Sequence, residues 1–184
     1  MLEVNFNPFT EIKTERLLLR RVIKEDIGQI FKMRSDKNVM KFIGKNPITT
    51  MDGAVNFFNM VNDSLENNTG ITWAISLKEA PEKLIGTIGL WRLIKEHFRA
   101  EIGYMLLPEY WKKGLTKEAA FKVIEYGFDE MKLHSIEAHI NPQNEASATL
   151  LASAGFIREA YFKENFFFNG VFQDTAIYSL LRKN

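Results

Sequence analysis

Residues 110–119 read YWKKGLTKEA, a basic, glycine-centred stretch that ends one pattern of residues and starts another. Before it, residues 98–107 alternate between apolar and polar as a strand does. After it, Ala120, Val123, Ile124, Gly127, Phe128 and Met131 recur at helical spacing, opposite Lys117, Lys122, Glu125 and Asp129, and residues 135–140 return to a strand pattern. A crossover of this length makes its two strands parallel neighbours with a right-handed connection. The elbow itself admits two readings. It is an ordinary strand-to-helix turn with solvated lysines, or a cradle for phosphates at a helix N-terminus, where unpaired N–H groups and a partial positive charge favour an anion. Gly114 would allow close backbone approach, and Lys112, Lys113 and Lys117 add positive charge, the last in opposition to the helix dipole.

Outward from the elbow, residues 16–22 form a strand around Leu17, Leu19 and the apolar stem of Arg21, and residues 25–34 a short amphipathic helix with Ile27, Ile30, Phe31 and Met33 inward. A second helix covers residues 50–66, with Thr50 as N-cap and Ala54, Phe57, Phe58, Val61 and Leu65 on one face. Strands at 71–77, 84–94 and 98–107 are joined by short turns and imply an antiparallel meander. A helix over 144–154 stops at Gly155-Phe156 in a Schellman pattern, and two last strands flank Asn169-Gly170, the dipeptide suited to a type I′ hairpin. The order β-α-α-β-β-β-α-β-α-β-β predicts an α/β (α+β) fold. Its central sheet is mixed but mostly antiparallel, with helices on both faces.

The 184 residues are 46% hydrophobic and 26% charged, with a net charge of +1. A chain of this size buries about 70% of its unfolded surface and reads as one domain, residues 1–184. Near-neutrality argues against bulk electrostatic binding to nucleic acid or membrane. The absence of cysteine excludes disulfides, thiolate-ligated zinc and an acyl-cysteine intermediate, so any acyl group moves directly. Residues 1–4 carry neither a basic nor an apolar leader pattern, and no apolar run reaches the roughly 18 residues needed to span a bilayer. A cytoplasmic protein is expected. His134 and His139 have no Asp, Glu or Cys at ligand spacing, so no metal is expected. No G-x-S-x-G, P-loop or G-x-G-x-x-G motif is present.

The element order, the block EIGYMLLPEYWKKGLTKEA at 101–119 and the block NPQNEASATLLASAGF at 141–156 resemble the GNAT superfamily of acetyl-CoA-dependent N-acetyltransferases, and most of all its ribosomal-protein N-terminal acetyltransferase branch. The likeness covers residues 12–182. It implies the GNAT fold, with a splayed pair of parallel strands, and acetyl-CoA as co-substrate. The branch's elbow, Trp-Gly-Lys-Gly-Tyr-Ala, places Trp111, Lys112, Lys113, Gly114, Leu115 and Thr116 on the cofactor loop, with Lys117 in the first helical turn. Lys112 stands where the branch has glycine, and Thr116 where glycine or alanine is usual; threonine can cap the helix. The resemblance further implies that the backbone of Met105, Leu106 and Leu107 pairs with the pantetheine amides, and that Asn144 contacts the cofactor.

Direct transfer needs a neutral amine, a base or water path for its proton, and an acid near the leaving sulfur. Glu101, a carboxylate in an apolar strand that matches the branch's EIGY pattern, is the candidate base, since burial would raise its pKa; the alternative is a solvent-facing strand residue. Where many superfamily members have an acid tyrosine, Leu151 stands, and Ser147 of the branch's Asn-x-x-Ser pattern is the candidate acid. Asn144 and Ser147 equally suit the N-terminus of a helix. Phe166, Phe167 and Phe168 occupy the strand where some members carry a second carboxylate, and core packing is expected for them, as for Trp73, Trp91 and Tyr104. The implied acceptor is a protein or peptide N-terminal amine. A small amine such as a polyamine or aminoglycoside, and a non-catalytic CoA-binding module, are the alternatives, in a monomer or homodimer.

Overall fold

The computed structural model describes residues 1–182. Its elements are β1 (Ile12–Lys13), β2 (Leu17–Arg21), α1 (Ile27–Ser35), α2 (Lys37–Met40), α3 (Met51–Glu66), β3 (Ile71–Leu77), β4 (Gly86–Ile94), β5 (Arg99–Leu106), α4 (Leu115–Asp129), β6 (Ser135–Ile140), α5 (Glu145–Ser153), β7 (Ile157–Phe168) and β8 (Val171–Leu181). The predicted order holds, with the short β1 and α2 added. All eight strands form one sheet in the order β1-β2-β3-β4-β5-β6-β8-β7. Every neighbouring pair is antiparallel except β5–β6, as the crossover through α4 requires.

That parallel pairing is short. It joins Arg99 to Ser135, Ala100 to Ile136 and Glu101 to Glu137, and then the strands part. Beyond Glu101, β5 stays with β4 while β6 continues along β8. Each strand follows its antiparallel partner, and a wedge-shaped opening is left between residues 102–106 and 138–140.

Two apolar clusters face the two sides of the sheet. One packs α4, through Leu115, Ala119, Ala120 and Val123, against Leu17, Leu19, Trp73, Ile88 and Leu90. The other packs α1 and α3, through Ile30, Met33, Ala54 and Val61, against Val22 and Ala74. In β2 the inward arginine is Arg20 and not Arg21. Arg20 is buried and makes a two-pronged pair with the buried Asp26, at 2.8 and 2.7 Å, and Asp26 also accepts from the Ile23 amide. Arg21 closes the strand and is exposed, its guanidinium reaching Asn62 at 3.0 Å and Glu66 at 3.7 Å on α3.

The local stop signals behave as the residues predict. Gly155 has φ +89°, and the Schellman pair is complete, with Phe156 N to Leu151 O at 3.0 Å and Gly155 N to Ala152 O at 3.0 Å. Asn169 and Gly170 both have positive φ, as a type I′ turn needs. Thr50 is the N-cap of α3, but its side chain makes no capping hydrogen bond.

Gly86 lets β4 and β5 approach closely at the site strand. A Cβ there would stand 2.5 Å from the Met105 carbonyl oxygen. Gly86→Ala is therefore expected to lower stability by about 1–3 kcal/mol, the usual cost of overpacking, and to displace β5. An unchanged Tm would show that the ladder yields freely.

Candidate active site

The elbow begins with one turn of 3₁₀ helix, Pro108–Tyr110, and ends at Gly114, the N-cap of α4. Gly114 has φ +75° and offers no side-chain cap. Thr116 thus lies inside the first turn and does not cap the helix as expected, because the chain has already turned at Gly114. The first intrahelical bond is Glu118 N to Gly114 O at 3.0 Å, which leaves the amides of Leu115, Thr116 and Lys117 pointing out of the helix end. Lys112 is also left-handed, with φ 59°, which explains why related loops carry glycine there: a side chain in this region costs about 1–2 kcal/mol. Lys112, Lys113 and Lys117 are exposed, and the Leu115 side chain is in the core, so only its backbone is available to a ligand.

A half-buried carboxylate holds the elbow. Glu118 accepts from Thr14 Oγ1, from Arg16 N at 2.8 Å and from Arg16 Nε at 2.7 Å, while Arg16 Nη1 reaches the Lys113 carbonyl at 3.0 Å. Burial pushes the Glu118 carboxyl up, but the hydrogen bonds from Thr14 and Arg16 outweigh it and hold it below the usual glutamate range. Trp111 supplies a second tether, donating from Nε1 to Leu106 O at 2.7 Å.

The wedge between β5 and β6 opens into a cavity of about 520 Å³. The Leu107 amide donates to Ile85 O, and Phe98 O accepts from His134 and Ser135. Antiparallel alternation then turns the backbone groups of Met105 and Leu107 toward β4, and those of Ile102, Tyr104 and Leu106 toward the wedge. Of the three residues expected to pair with pantetheine, only Leu106 faces the gap, with its carbonyl already on Trp111. Tyr104, not singled out for this from the sequence, faces it too. The Met105 side chain lines the cavity instead.

Glu101 and Ser147 both line this cavity, from β5 and α5, and Asn144 lies beside them. Glu101 is buried, but Arg92 Nη1 sits 2.8 Å from its Oε2, so it is an ion-paired carboxylate and not an isolated one. Asn144 caps α5, its Oδ1 accepting from Ser147 N at 3.1 Å, and it borders the cavity as well. The Tyr104 hydroxyl is buried without a hydrogen-bond partner among the described residues. Burial raises it above the usual phenol range, and the Ser147 hydroxyl nearby opposes that without closing a hydrogen bond. Leu151, at the position of the superfamily's tyrosine, is in the core.

Trp73 is core as expected, but other aromatics are not. Trp91 and Phe166 line the cavity, and Phe167 is exposed, because β7 is an edge strand with no layer beyond it. Arg34, on α1, also lines the cavity. It is 8% exposed, its Nε has no partner among the described residues, and it stacks over the Phe57 ring at 4.4 Å. Its spacing from Ile27 and Ile30 put a cation on an apolar stripe, which was the available signal. No group of three or more metal-ligating side chains occurs among the described residues, and no helix there is long and apolar enough to cross a membrane.

A model of the acetyltransferase (GNAT) domain matches residues 16–157. The chain belongs to the GNAT family. The uncharacterized N-acetyltransferase YoaA of Bacillus subtilis is 34% identical over 174 residues, covering 95% of this chain and 98% of that protein. A GNAT acetyltransferase structure from Bacillus anthracis superposes with a TM-score of 0.82 at 33% identity, covering 94% of this chain and 98% of the other. The spermidine N-acetyltransferase of Vibrio cholerae, solved with CoA and spermine, gives a TM-score of 0.79 at 25% identity, covering 90% and 95%. This GNAT chain is an N-acetyltransferase with acetyl-CoA as donor. The uncapped amides of the elbow and the wedge-facing backbone of Tyr104 and Leu106 fit a pyrophosphate and an amide-bearing arm.

Glu118→Gln is expected to cost about 1 kcal/mol at neutral pH through loss of charged hydrogen bonds that solvent partly screens. Because the folded-state value lies below the unfolded one, the wild-type advantage is present above about pH 4.3 and is lost as pH falls through the folded value. Urea titrations of both proteins at pH 7 and pH 3 measure this; an equal difference at both would remove Glu118 as its source.

Proposed function

We propose that this GNAT enzyme acetylates the amine of a protein or peptide N-terminus, with the charge of the cavity as the observation that carries the reading. A polycation such as spermidine needs unpaired carboxylates. Of the two that line this cavity among the described residues, Glu101 is paired with Arg92, and Asp174 keeps its charge, held below the usual aspartate range by hydrogen bonds from the Tyr161 hydroxyl and the Glu164 amide, so that one unpaired carboxylate faces the cations around it. Arg34, Lys45 and Arg92 border the same space. The balance disfavours a polyamine or aminoglycoside, whatever the likeness to a spermidine acetyltransferase. A mass-spectrometric screen across peptide N-termini, lysines, polyamines and aminoglycosides tests it; turnover of polyamines above all peptides would overturn it.

Acetyl-CoA supplies an activated acetyl thioester. In this reading the amides of residues 115–117 and the exposed lysines hold its phosphates, and Tyr104 and Leu106 align its arm in the wedge. Glu101 draws the amine's proton, directly or through water, with Arg92 fixing its orientation. Ser147 holds a proton where the sulfur departs, and the unpartnered Tyr104 hydroxyl beside it is placed to replenish that proton. Glu101, Tyr104 and Ser147 line one cavity, the closeness that direct transfer requires, and the elbow that would hold the phosphates lies outside its lining.

CoA or acetyl-CoA at a hundredfold excess over Kd is expected to stabilise the fold by about 2.7 kcal/mol. In Gly114→Val that shift should shrink, since the position is left-handed and lies at the mouth of the cradle. A full shift in a folded variant would refute the cradle.

Ser147→Ala, Tyr104→Phe and Glu101→Gln should each lower kcat with little change in the CoA-induced shift. General acid or base assistance is worth about 10²- to 10⁴-fold. Glu101→Gln should recover in part at higher pH, where more amine is neutral. Full activity in any one variant reduces that residue to packing or helix capping.

A further inference from the structure

Arg34 is a cation that the fold buries without an anion among the described residues. Its side chain reaches from α1 to the wall of the cavity, where Nη1 meets Met105 Sδ at 3.8 Å and the guanidinium lies on Phe57. The contrast with Arg20 is direct: equally buried at 8%, Arg20 has Asp26 on two nitrogens and three carbonyls around it. For Arg34, burial lowers the guanidinium from its ordinary value, and no carboxylate among the described residues opposes it. A π face and a thioether do not fill five N–H donors. A buried charge left without a counterion is strongly unfavourable, and an open cavity beside it is where a counterion arrives from outside.

The cofactor does not bring it. Met105 and Tyr104 point to opposite faces of β5, and Tyr104 packs with the α4 cluster whereas Met105 packs with the α1–α3 cluster. The elbow that suits phosphates belongs to α4, so Arg34 looks onto the acceptor's side of the sheet. From Glu101, where the wedge opens, to Met105, which touches Arg34, is about four strand residues, on the order of 13 Å, and from Gly103 about half that. An extended peptide covers such a span in about two to four residues.

We propose that Arg34 is the acceptor-recognition residue, and that the preferred acceptor is an amine with a carboxylate about two to four extended residues away. In a peptide this is an Asp or Glu at the second to fourth position. In a small molecule it is the carboxylate of a short amino-acid conjugate. The assignment rests on the transfer reading above and deepens it.

The experiment compares peptides that carry Asp or Glu at positions two, three or four with their Asn or Gln counterparts, and short amino-acid conjugates with their carboxamides, against wild type, Arg34→Gln and Arg34→Lys. A charged hydrogen-bonded pair predicts a wild-type kcat/KM preference of about 10- to 100-fold for the carboxylate form. The preference should fall to within about twofold in Arg34→Gln and partly persist in Arg34→Lys, with the CoA-induced Tm shift confirming a formed cofactor site. Which series shows it distinguishes peptide from small molecule. No preference in wild type, or a preference that survives in Arg34→Gln, overturns the proposal. If no acceptor is acetylated, the transfer reading fails separately, and calorimetry with CoA and the same peptide pairs decides the anion site: Arg34-dependent binding of the acidic member supports it, and equal binding of both overturns it.

Discussion

The parting of β5 and β6 after Glu101 and Glu137 is the constraint on which the rest of the structure depends. In a flat sheet these strands would continue to pair, and the cavity would not exist. Here each is drawn along its antiparallel partner, β4 on one side and β8 on the other, so the parallel pairing ends after three residues and the backbone of one strand faces empty space. Unpaired backbone groups are tolerable in a protein interior only where something polar can reach them. The sheet is therefore built around a missing strand, and an amide-bearing ligand is the natural replacement.

The elbow depends on this opening and is held to it by polar contacts. Trp111 ties the loop to Leu106 at the wide end of the wedge, and Glu118 ties the first turn of α4 to the approach to β2 through Thr14 and Arg16. The left-handed turns at Lys112 and Gly114 aim the helix end outward, while Leu115 anchors it in the core. A charged carboxylate near a helix N-terminus also complements the helix dipole. The loop is thus rigid where it meets the fold and open where it meets solvent.

Charge is handled differently on the two sides of β2 and α1. Arg20 and Asp26 neutralise one another and fix the turn between strand and helix. Arg34, two turns further on, shares the burial but not the partner. The first arrangement is complete without a ligand. The second is completed by one, which is why the same residue type in neighbouring places serves structure in one and recognition in the other.

The order of elements, the crossover, the Schellman stop at Gly155 and the hairpin at Asn169-Gly170 were legible in the sequence, because each arises from periodicity or backbone preference within a few residues. The elbow was legible for the same reason, down to the glycine that turns it. What the tertiary structure decided depends on neighbours distant in the chain. Which of residues 104–107 face the wedge follows from the register with β4, and a one-residue shift would exchange them. Glu101 reads as an isolated carboxylate until Arg92 is brought to it across a hairpin, and Phe166 reads as core until β7 is found at the sheet edge. Arg34 carried only a weak signal, a cation on an apolar stripe. That it has no counterion among the described residues is a property of the surrounding space, which periodicity cannot express and packing alone defines.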